Sequence, residues 1–95
     1  MISVSQFKGL KNLENVYLYG NQLTSLDSKI FNGLVNLQEI HLGSNKLRDL
    51  DSNIFSGLVN LRELNLNENS LKRIDSNLFR GIIEKIFSLK QTKNN

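Results

Sequence analysis

Short segments of alternating apolar and polar residues recur along the chain every 24 positions. In the central copy, residues 37–60 with the sequence LQEIHLGSNKLRDLDSNIFSGLVN, Ile40 and Leu42 alternate with Glu39, His41 and Gly43. This period of two is the signature of a strand with one buried side. The pattern therefore predicts a short strand near the start of each copy, with successive strands lying parallel and side by side.

The two sides of these predicted strands differ in composition. The inward positions are apolar: Val16 and Leu18, Ile40 and Leu42, Leu64 and Leu66. The outward positions form three columns across the sheet: Asn15, Glu39, Glu63; Tyr17, His41, Asn65; and Tyr19, Gly43, Asn67. We expect the outward side to be concave and to face solvent.

The back half of each copy is apolar at irregular spacing, with Asp, Ser and Gly between the apolar residues. This arrangement predicts a tight convex connection rather than a full helix. The repeated aromatic residues, predicted to stack as a spine between coils, are Phe31, Phe55 and Phe79. The repeated aspartates, Asp27, Asp51 and Asp75, are each followed by Ser and suit turns and caps. Calcium is a weaker alternative for them, because it needs oxygens converging from several loop positions.

A polar residue follows each predicted strand in the middle of an apolar pattern. These residues are Asn21, Asn45 and Asn69, again 24 apart. An asparagine side chain carries two donors and an acceptor, so stacked asparagines can pair with backbone groups freed where each strand turns away. We predict a structural asparagine ladder, and the chain contains no Asn-x-Ser/Thr sequon.

The central copy fills the motif L-x-x-L-x-L-x-x-N-x-L with Leu37, Ile40, Leu42, Asn45 and Leu47. With the F-x-G-L segment that follows, the copies resemble the typical 24-residue class of leucine-rich repeat, found in extracellular parts of Toll-like receptors and Slit-type proteins. The resemblance implies an α/β solenoid with a curved parallel sheet on the concave face and short irregular or 3-10 convex segments. It also implies a protein-binding scaffold, extracellular or at the cell surface, although the cysteine-bearing caps of those proteins are absent.

The period divides residues 1–84 into a repeat array. A half-repeat, 1–12, precedes three full repeats at 13–36, 37–60 and 61–84, and a divergent tail covers 85–95. The half-repeat is either part of a longer array or a makeshift cap. The apolar residues of the tail region, Ile82, Ile83, Ile86, Phe87 and Leu89, recur at helical spacing and favour a capping helix over a tail that has lost its frame.

Composition excludes several partner classes. The net charge is +3, but residues 72–95 carry the excess, and no basic stripe interleaved with aromatics points to nucleic acid. The chain contains no run of 18 apolar residues, so we predict no membrane insertion. The first 30 residues also lack the apolar run of a signal peptide. The chain has no cysteine, which excludes disulfides and thiolate metal sites. Uncapped array ends leave self-association open.

The outward columns are the candidate site for a protein ligand. Its residues are Asn15, Tyr17, Tyr19, Glu39, His41, Glu63, Asn65 and Asn67. Tyr17 and Tyr19 are candidate anchors because tyrosine is enriched at binding hot spots, although aromatic residues also simply suit strands. We interpret His41 as a surface residue and predict neither a metal nor a cofactor, since a lone histidine without cysteine does not build a zinc site.

A catalytic arrangement would use His41 as general base, Glu39 as its orienting partner and Ser44 as nucleophile. A flat strand surface offers no pocket that excludes water and no evident oxyanion donors, so we predict no enzyme. The sequence predicts a non-enzymatic protein-binding module, part of a receptor-like or secreted protein. The alternative is a structural spacer within a longer array, with no ligand of its own.

Overall fold

The computed structural model describes residues 6–72, which contain three short parallel strands in one sheet. The strands are β1 (Asn15–Tyr17), β2 (Glu39–His41) and β3 (Glu63–Asn65), in the order β1-β2-β3. Their register pairs residues 24 apart, with Val16 opposite Ile40 and Ile40 opposite Leu64. The period of the sequence is therefore the period of the sheet. Asp75, Phe79 and the proposed capping helix lie outside the described residues.

The inward strand positions pack into one core. Ile40, Leu42, Leu64 and Leu66 are fully buried, whereas Leu18 is only partly buried. Leu18 follows β1, which borders the described sheet and so has a neighbouring strand on one side only. Apolar residues from the connecting segments complete the core, including Leu37, Leu47, Ile54, Leu58 and Leu61.

Tight turns connect each strand to the next, and the described residues contain no α-helix. The bonds that define these turns join residues three apart, such as Ile30 N to Asp27 O at 3.0 Å and Ile54 N to Asp51 O at 3.0 Å. The carboxylates of Asp27 and Asp51 each accept a hydrogen bond from the backbone N–H two residues ahead, both at 2.8 Å. These aspartates therefore hold turns, as their sequence context predicted.

A glycine ends the turn region of each coil in a left-handed conformation. Gly9, Gly33 and Gly57 have φ angles of 83°, 80° and 82°. A Cβ built on any of them would meet nothing within 4 Å, so space is not the reason for glycine here. Backbone conformation is the reason, because side-chain-bearing residues rarely adopt φ angles in this region.

Phenylalanine rings stack through the described coils. Phe31 and Phe55 are each 1% exposed, with ring centroids 6.0 Å apart and planes 18° apart. Phe7 continues the stack towards the N-terminus, 6.3 Å from Phe31. The half-repeat that contains Phe7 thus joins the interior of the array.

The asparagines after the strands tie neighbouring coils together. Asn45 is 6% exposed, and its Oδ1 accepts from Asn21 N at 2.9 Å and Leu23 N at 3.0 Å. Its Nδ2 donates to Leu18 O at 2.9 Å and to Leu42 O at 3.0 Å. The side chain therefore satisfies backbone groups of two coils at once, which an apolar residue cannot do.

The two flanking asparagines differ in how much of this arrangement they share. Asn69 accepts from Leu47 N at 3.0 Å and donates to Leu42 O at 2.9 Å, so it links coils as Asn45 does. Asn21 is exposed, and its Nδ2 donates to Tyr19 O, within its own coil. Asn21 enters the ladder through its backbone N–H, which donates to Asn45.

A second set of asparagines makes an inter-coil contact at the other side of the repeat. Asn36 Nδ2 donates to Lys11 O at 2.9 Å, and Asn60 Nδ2 donates to Val35 O at 2.8 Å. Each bond spans 25 residues and joins one coil to the coil before it. The sequence carries the signal in Asn12, Asn36 and Asn60, which also stand 24 apart.

No helix in the described part of the chain is long and apolar enough to cross a membrane.

Candidate functional site: the outer sheet face

The side chains that point away from the core define one surface, the outer sheet face. Strand register aligns the first two predicted columns, which are Asn15, Glu39 and Glu63, and Tyr17, His41 and Asn65. Tyr17 and Tyr19 are 59% and 50% exposed. His41 is 6% exposed, so the expectation that it lies on the open surface was wrong.

His41 is covered by the two tyrosines of the preceding coil. The Tyr17 ring stacks on the imidazole, with centroids 4.8 Å apart and planes 15° apart. The Tyr19 ring lies 5.6 Å from it at 30°, and its hydroxyl is 3.1 Å from His41 Nδ1. Cross-strand neighbours stand close enough for such aromatic pairs, which is why the two outward tyrosines can cover the histidine.

Glu39 is the polar centre of the face. Its Oε1 accepts a hydrogen bond from the Tyr17 hydroxyl at 3.1 Å and lies 3.0 Å from His41 Nε2. Glu63 on β3 approaches the same nitrogen, with Oε2 at 3.9 Å. Both ring nitrogens of His41 thus have polar neighbours, and the outer sheet face carries an ordered tyrosine, histidine and glutamate network.

The network shifts the pKa of two of its members. The hydrogen bond from His41, and then the one from Tyr17, lower the pKa of Glu39 below its ordinary value. The hydrogen bond to Glu39 raises the pKa of Tyr17, and burial and the negative charges of Glu39 and Glu63 add to the same effect. Both shifts favour a Glu39 carboxylate that accepts from a neutral Tyr17 phenol.

Gly43 provides the space that Tyr19 occupies. A Cβ at this position would lie 3.2 Å from Tyr19 Cε1 and 3.1 Å from Asn65 Oδ1. These distances are shorter than ordinary van der Waals contacts, so even alanine would push on the tyrosine ring. The glycine in the third column therefore lets Tyr19 lie across the sheet towards His41.

The C-terminal half of the face is built from amides instead of rings. Asn65 Oδ1 accepts a hydrogen bond from Asn67 N at 2.9 Å. Asn67 Oδ1 is buried and has no hydrogen-bond partner among residues 6–72. Asn15, at the other end of the face, is exposed. All eight predicted site residues therefore lie within or next to the described strands, but the close network joins Tyr17, Tyr19, Glu39, His41 and Glu63.

The arrangement weighed for catalysis is not assembled around Ser44. Ser44 is exposed, with a φ angle of 55° in the left-handed region. The two ring nitrogens of His41 face Tyr19 and Glu39 instead.

A family model described as the BspA type leucine-rich repeat region matches residues 1–94, in six copies. The chain belongs to this leucine-rich repeat family. No curated protein matches the chain in sequence. Leucine-rich repeat families are generally non-enzymatic, and membership of one indicates a protein-interaction module.

In this BspA-type repeat, the features missed by sequence reasoning all depend on contacts between coils. His41 was assigned to the surface because its own strand places it outward, and its burial comes from Tyr17 and Tyr19, 24 and 22 residues earlier. The meeting of Glu63 with His41 was missed for the same reason. The three columns contained a signal for these contacts, since residues 24 apart in sequence become neighbours on adjacent strands.

Proposed function

We propose that this BspA-type leucine-rich repeat chain is a protein-binding module whose partner docks on the outer sheet face, the predicted concave side. The observation that carries this proposal is that Tyr17 and Tyr19 are exposed and yet fixed in position. Tyr17 is 59% exposed and Tyr19 is 50% exposed, and both are held by contacts of their rings or hydroxyls with His41 and Glu39. A fixed, exposed ring loses little conformational entropy on binding. Such residues are typical binding hot spots.

The charge of the face favours a basic partner surface. Glu39 and Glu63 are opposite each other on neighbouring parallel strands, where like charges are unfavourable. The positive charge of Arg62 relieves part of this repulsion. The same charge adds to the hydrogen bonds from His41 and Tyr17 in lowering the pKa of Glu39. A lysine or arginine on the partner would relieve more of it, and we infer that the tyrosines supply contact area while the glutamates select a basic group.

The module is proposed to act on a cell surface or in a secreted, receptor-like protein. BspA-type leucine-rich repeats are often surface or secreted proteins, which supports this placement. We also propose that the coils follow the typical 24-residue class, because strands and turn glycines recur at that spacing in the described residues.

The test selects binders from a displayed peptide library on the immobilised protein and measures their affinities for three variants. The Tyr17→Ala/Tyr19→Ala pair is expected to weaken the selected peptides by more than about 2 kcal/mol, the magnitude typical of hot spots. The matched control, Val35→Ala/Val59→Ala, removes two exposed apolar side chains from the connecting segments and should change affinity little. Glu39→Gln/Glu63→Gln should remove any preference for Lys and Arg in the selected peptides.

Equal affinities for the wild type and the tyrosine pair, or a larger loss in the valine pair, would place binding away from the outer sheet face. A library that yields no specific binder at all would favour the alternative of a structural spacer.

A further inference from the structure

The outer sheet face brings together three side chains that bind metal ions in other proteins. Glu39, His41 and Glu63 each offer one ligand atom, and these atoms all lie within 4.8 Å of one another. His41 Nε2 lies 3.0 Å from Glu39 Oε1 and 3.9 Å from Glu63 Oε2. The cluster mixes an imidazole with two carboxylates that come from two neighbouring strands.

The spacing of these ligand atoms is close to the spacing around a shared ion. Zinc binds histidine nitrogen and carboxylate oxygen at about 2.0 to 2.2 Å, so two ligands of one ion lie roughly 3 to 3.5 Å apart. The distance from His41 Nε2 to Glu39 Oε1 lies at the short end of that range, and the distance to Glu63 Oε2 is longer than it. The Glu63 side chain is 45% exposed, which leaves its carboxylate room to approach the ion.

The surroundings of His41 suit a metal ligand. A ligating histidine needs a lone pair on one ring nitrogen and usually donates from the other. Tyr19 Oη lies 3.1 Å from Nδ1 and can accept a hydrogen bond from it, since a hydroxyl serves as donor or acceptor. In the metal-free chain Nε2 donates to Glu39, so an ion would replace that proton. Tyr19 can then accept from Nδ1 in the tautomer that metal binding requires, and the stacked Tyr17 ring holds the imidazole plane in place.

Charge also favours a divalent cation. Two glutamates stand directly opposite each other on β2 and β3, which places two carboxylates side by side. A divalent ion between them would neutralise both charges. An imidazole ligand favours zinc and similar transition metals over magnesium and calcium, which prefer oxygen.

Sequence predicted no metal site because His41 is the single histidine, but the structure adds two carboxylates beside it. We propose that Glu39, His41 and Glu63 form a binding site for a divalent transition-metal ion, with zinc as the representative ion. Three protein ligands leave at least one coordination position open towards solvent. That position faces the same surface as the proposed partner-binding residues, but the metal site does not depend on the proposed function.

The chain's composition makes the test unusually direct. His41 is the single histidine, and the chain has no cysteine. Zinc chloride is titrated into the untagged full chain by calorimetry, and nitrogen-15 spectra of the histidine ring are recorded in parallel. We expect one ion per chain, with the Nε2 resonance shifting and Nδ1 protonated in the complex. Magnesium and calcium are expected to bind far more weakly than zinc.

Variants distinguish zinc binding at these three residues from a general attraction of zinc to negatively charged side chains. Glu63→Gln and His41→Ala should each lower zinc affinity by at least the roughly 10- to 100-fold typical of losing a supporting residue. Tyr19→Phe removes the partner of Nδ1 and should lower it about tenfold. Glu14→Gln removes the same charge from an exposed residue outside the cluster and should leave affinity unchanged.

Glu63→Gln keeps the test informative if His41→Ala does not fold, because Glu63 is half exposed and its side chain adds no core packing. Three results would overturn the proposal: no saturable zinc binding by the wild type, no ring-nitrogen shift on binding, or equal losses in Glu63→Gln and Glu14→Gln. If Glu63→Gln loses zinc binding but still binds the selected peptides, the metal site and the peptide-binding surface are independent.

Discussion

The interior of the coils and the outer sheet face are built on the same strands but follow opposite rules. Inside, apolar residues recur at each level, and the aromatic stack repeats the same residue at Phe31 and Phe55. Outside, one level of the sheet carries Tyr17, His41 and Asn65, three unlike side chains. The comparison shows that the repeat specifies the scaffold, whereas the variation across the face gives this molecule its particular chemistry.

The physical reason lies in which neighbours each position has. An interior residue packs against its own copies in the coils before and after, so a choice that fits one coil fits all of them. An outward residue meets only its cross-strand neighbours and solvent, and many combinations are compatible with the same backbone. Function is therefore carried by the positions that depart from the repeat.

The largest predicted effect is in the interior. Phe55→Ala removes a fully buried ring stacked on Phe31 and should cost about 3 to 5 kcal/mol of unfolding free energy, measured by urea denaturation. Val59→Ala, at a side chain 63% exposed, is the control and should change stability by less than about 0.5 kcal/mol. Similar losses in the two variants would mean that the aromatic stack does not organise the array.

A second interior change targets the asparagine ladder. Asn45→Leu leaves backbone groups of two coils without partners and should cost roughly 1 to 3 kcal/mol. Two matched changes sharpen the result. Asn21→Leu, at the exposed equivalent, should cost less, and Lys46→Ala, at an exposed neighbour, should cost almost nothing. If the three melting temperatures agree, the ladder does not stabilise the coils.

The interior was the part of the fold that sequence predicted well. Strand positions, their parallel register and the inward apolar series all follow from a period of two inside a period of 24. Asp27 and Asp51 likewise hold the turns that their sequence context indicated. Where neighbours are copies of one another, a single repeat contains almost all the information about its own surroundings.

The outer face was predicted only as a set of positions. Sequence placed Tyr17, Glu39 and His41 on it, but could not state that Tyr17 covers His41 or that Glu39 and Glu63 both approach its Nε2. Those contacts depend on side-chain rotamers and on the space left by Gly43. Neither can be read from a residue pattern, so the tyrosine, histidine and glutamate network is visible only in the three-dimensional structure.

A smaller effect is expected on the outer face at acid pH. The hydrogen bonds from His41 and Tyr17 lower the pKa of Glu39 in the folded chain, so Glu39 contributes stability that is present above its unfolded pKa of about 4.5. This contribution is lost as pH falls through the folded pKa. The advantage of the wild type over Glu39→Gln, measured by urea unfolding, should therefore shrink below that pH.

Glu14→Gln is the control for this acid dependence, because Glu14 is exposed and lies outside the network. If the difference between the wild type and Glu39→Gln does not change with pH, the carboxylate of Glu39 is not held by the network in solution.

The smallest effect, and the most specific, is the ionisation of Tyr17 at alkaline pH. The Tyr17 hydroxyl donates to Glu39 at 3.1 Å, and ionisation would remove that donor and place a phenolate beside a carboxylate. For this reason the pKa of Tyr17 is raised above its ordinary value of 10.0. A raised folded pKa contributes stability that is fully present below pH 10.0 and is lost as pH rises through the folded pKa.

The measurement uses a Tyr19→Phe background, in which Tyr17 is the single tyrosine, and follows the ultraviolet absorbance of the phenolate with pH. Adding Glu39→Gln removes the charged acceptor and should move the midpoint down towards the ordinary tyrosine value. Glu14→Gln in the same background should leave the midpoint where it was. If the midpoint is the same with and without Glu39→Gln, the Tyr17 hydroxyl does not bind Glu39 in solution. The exposed ring would then not be a fixed anchor for a partner.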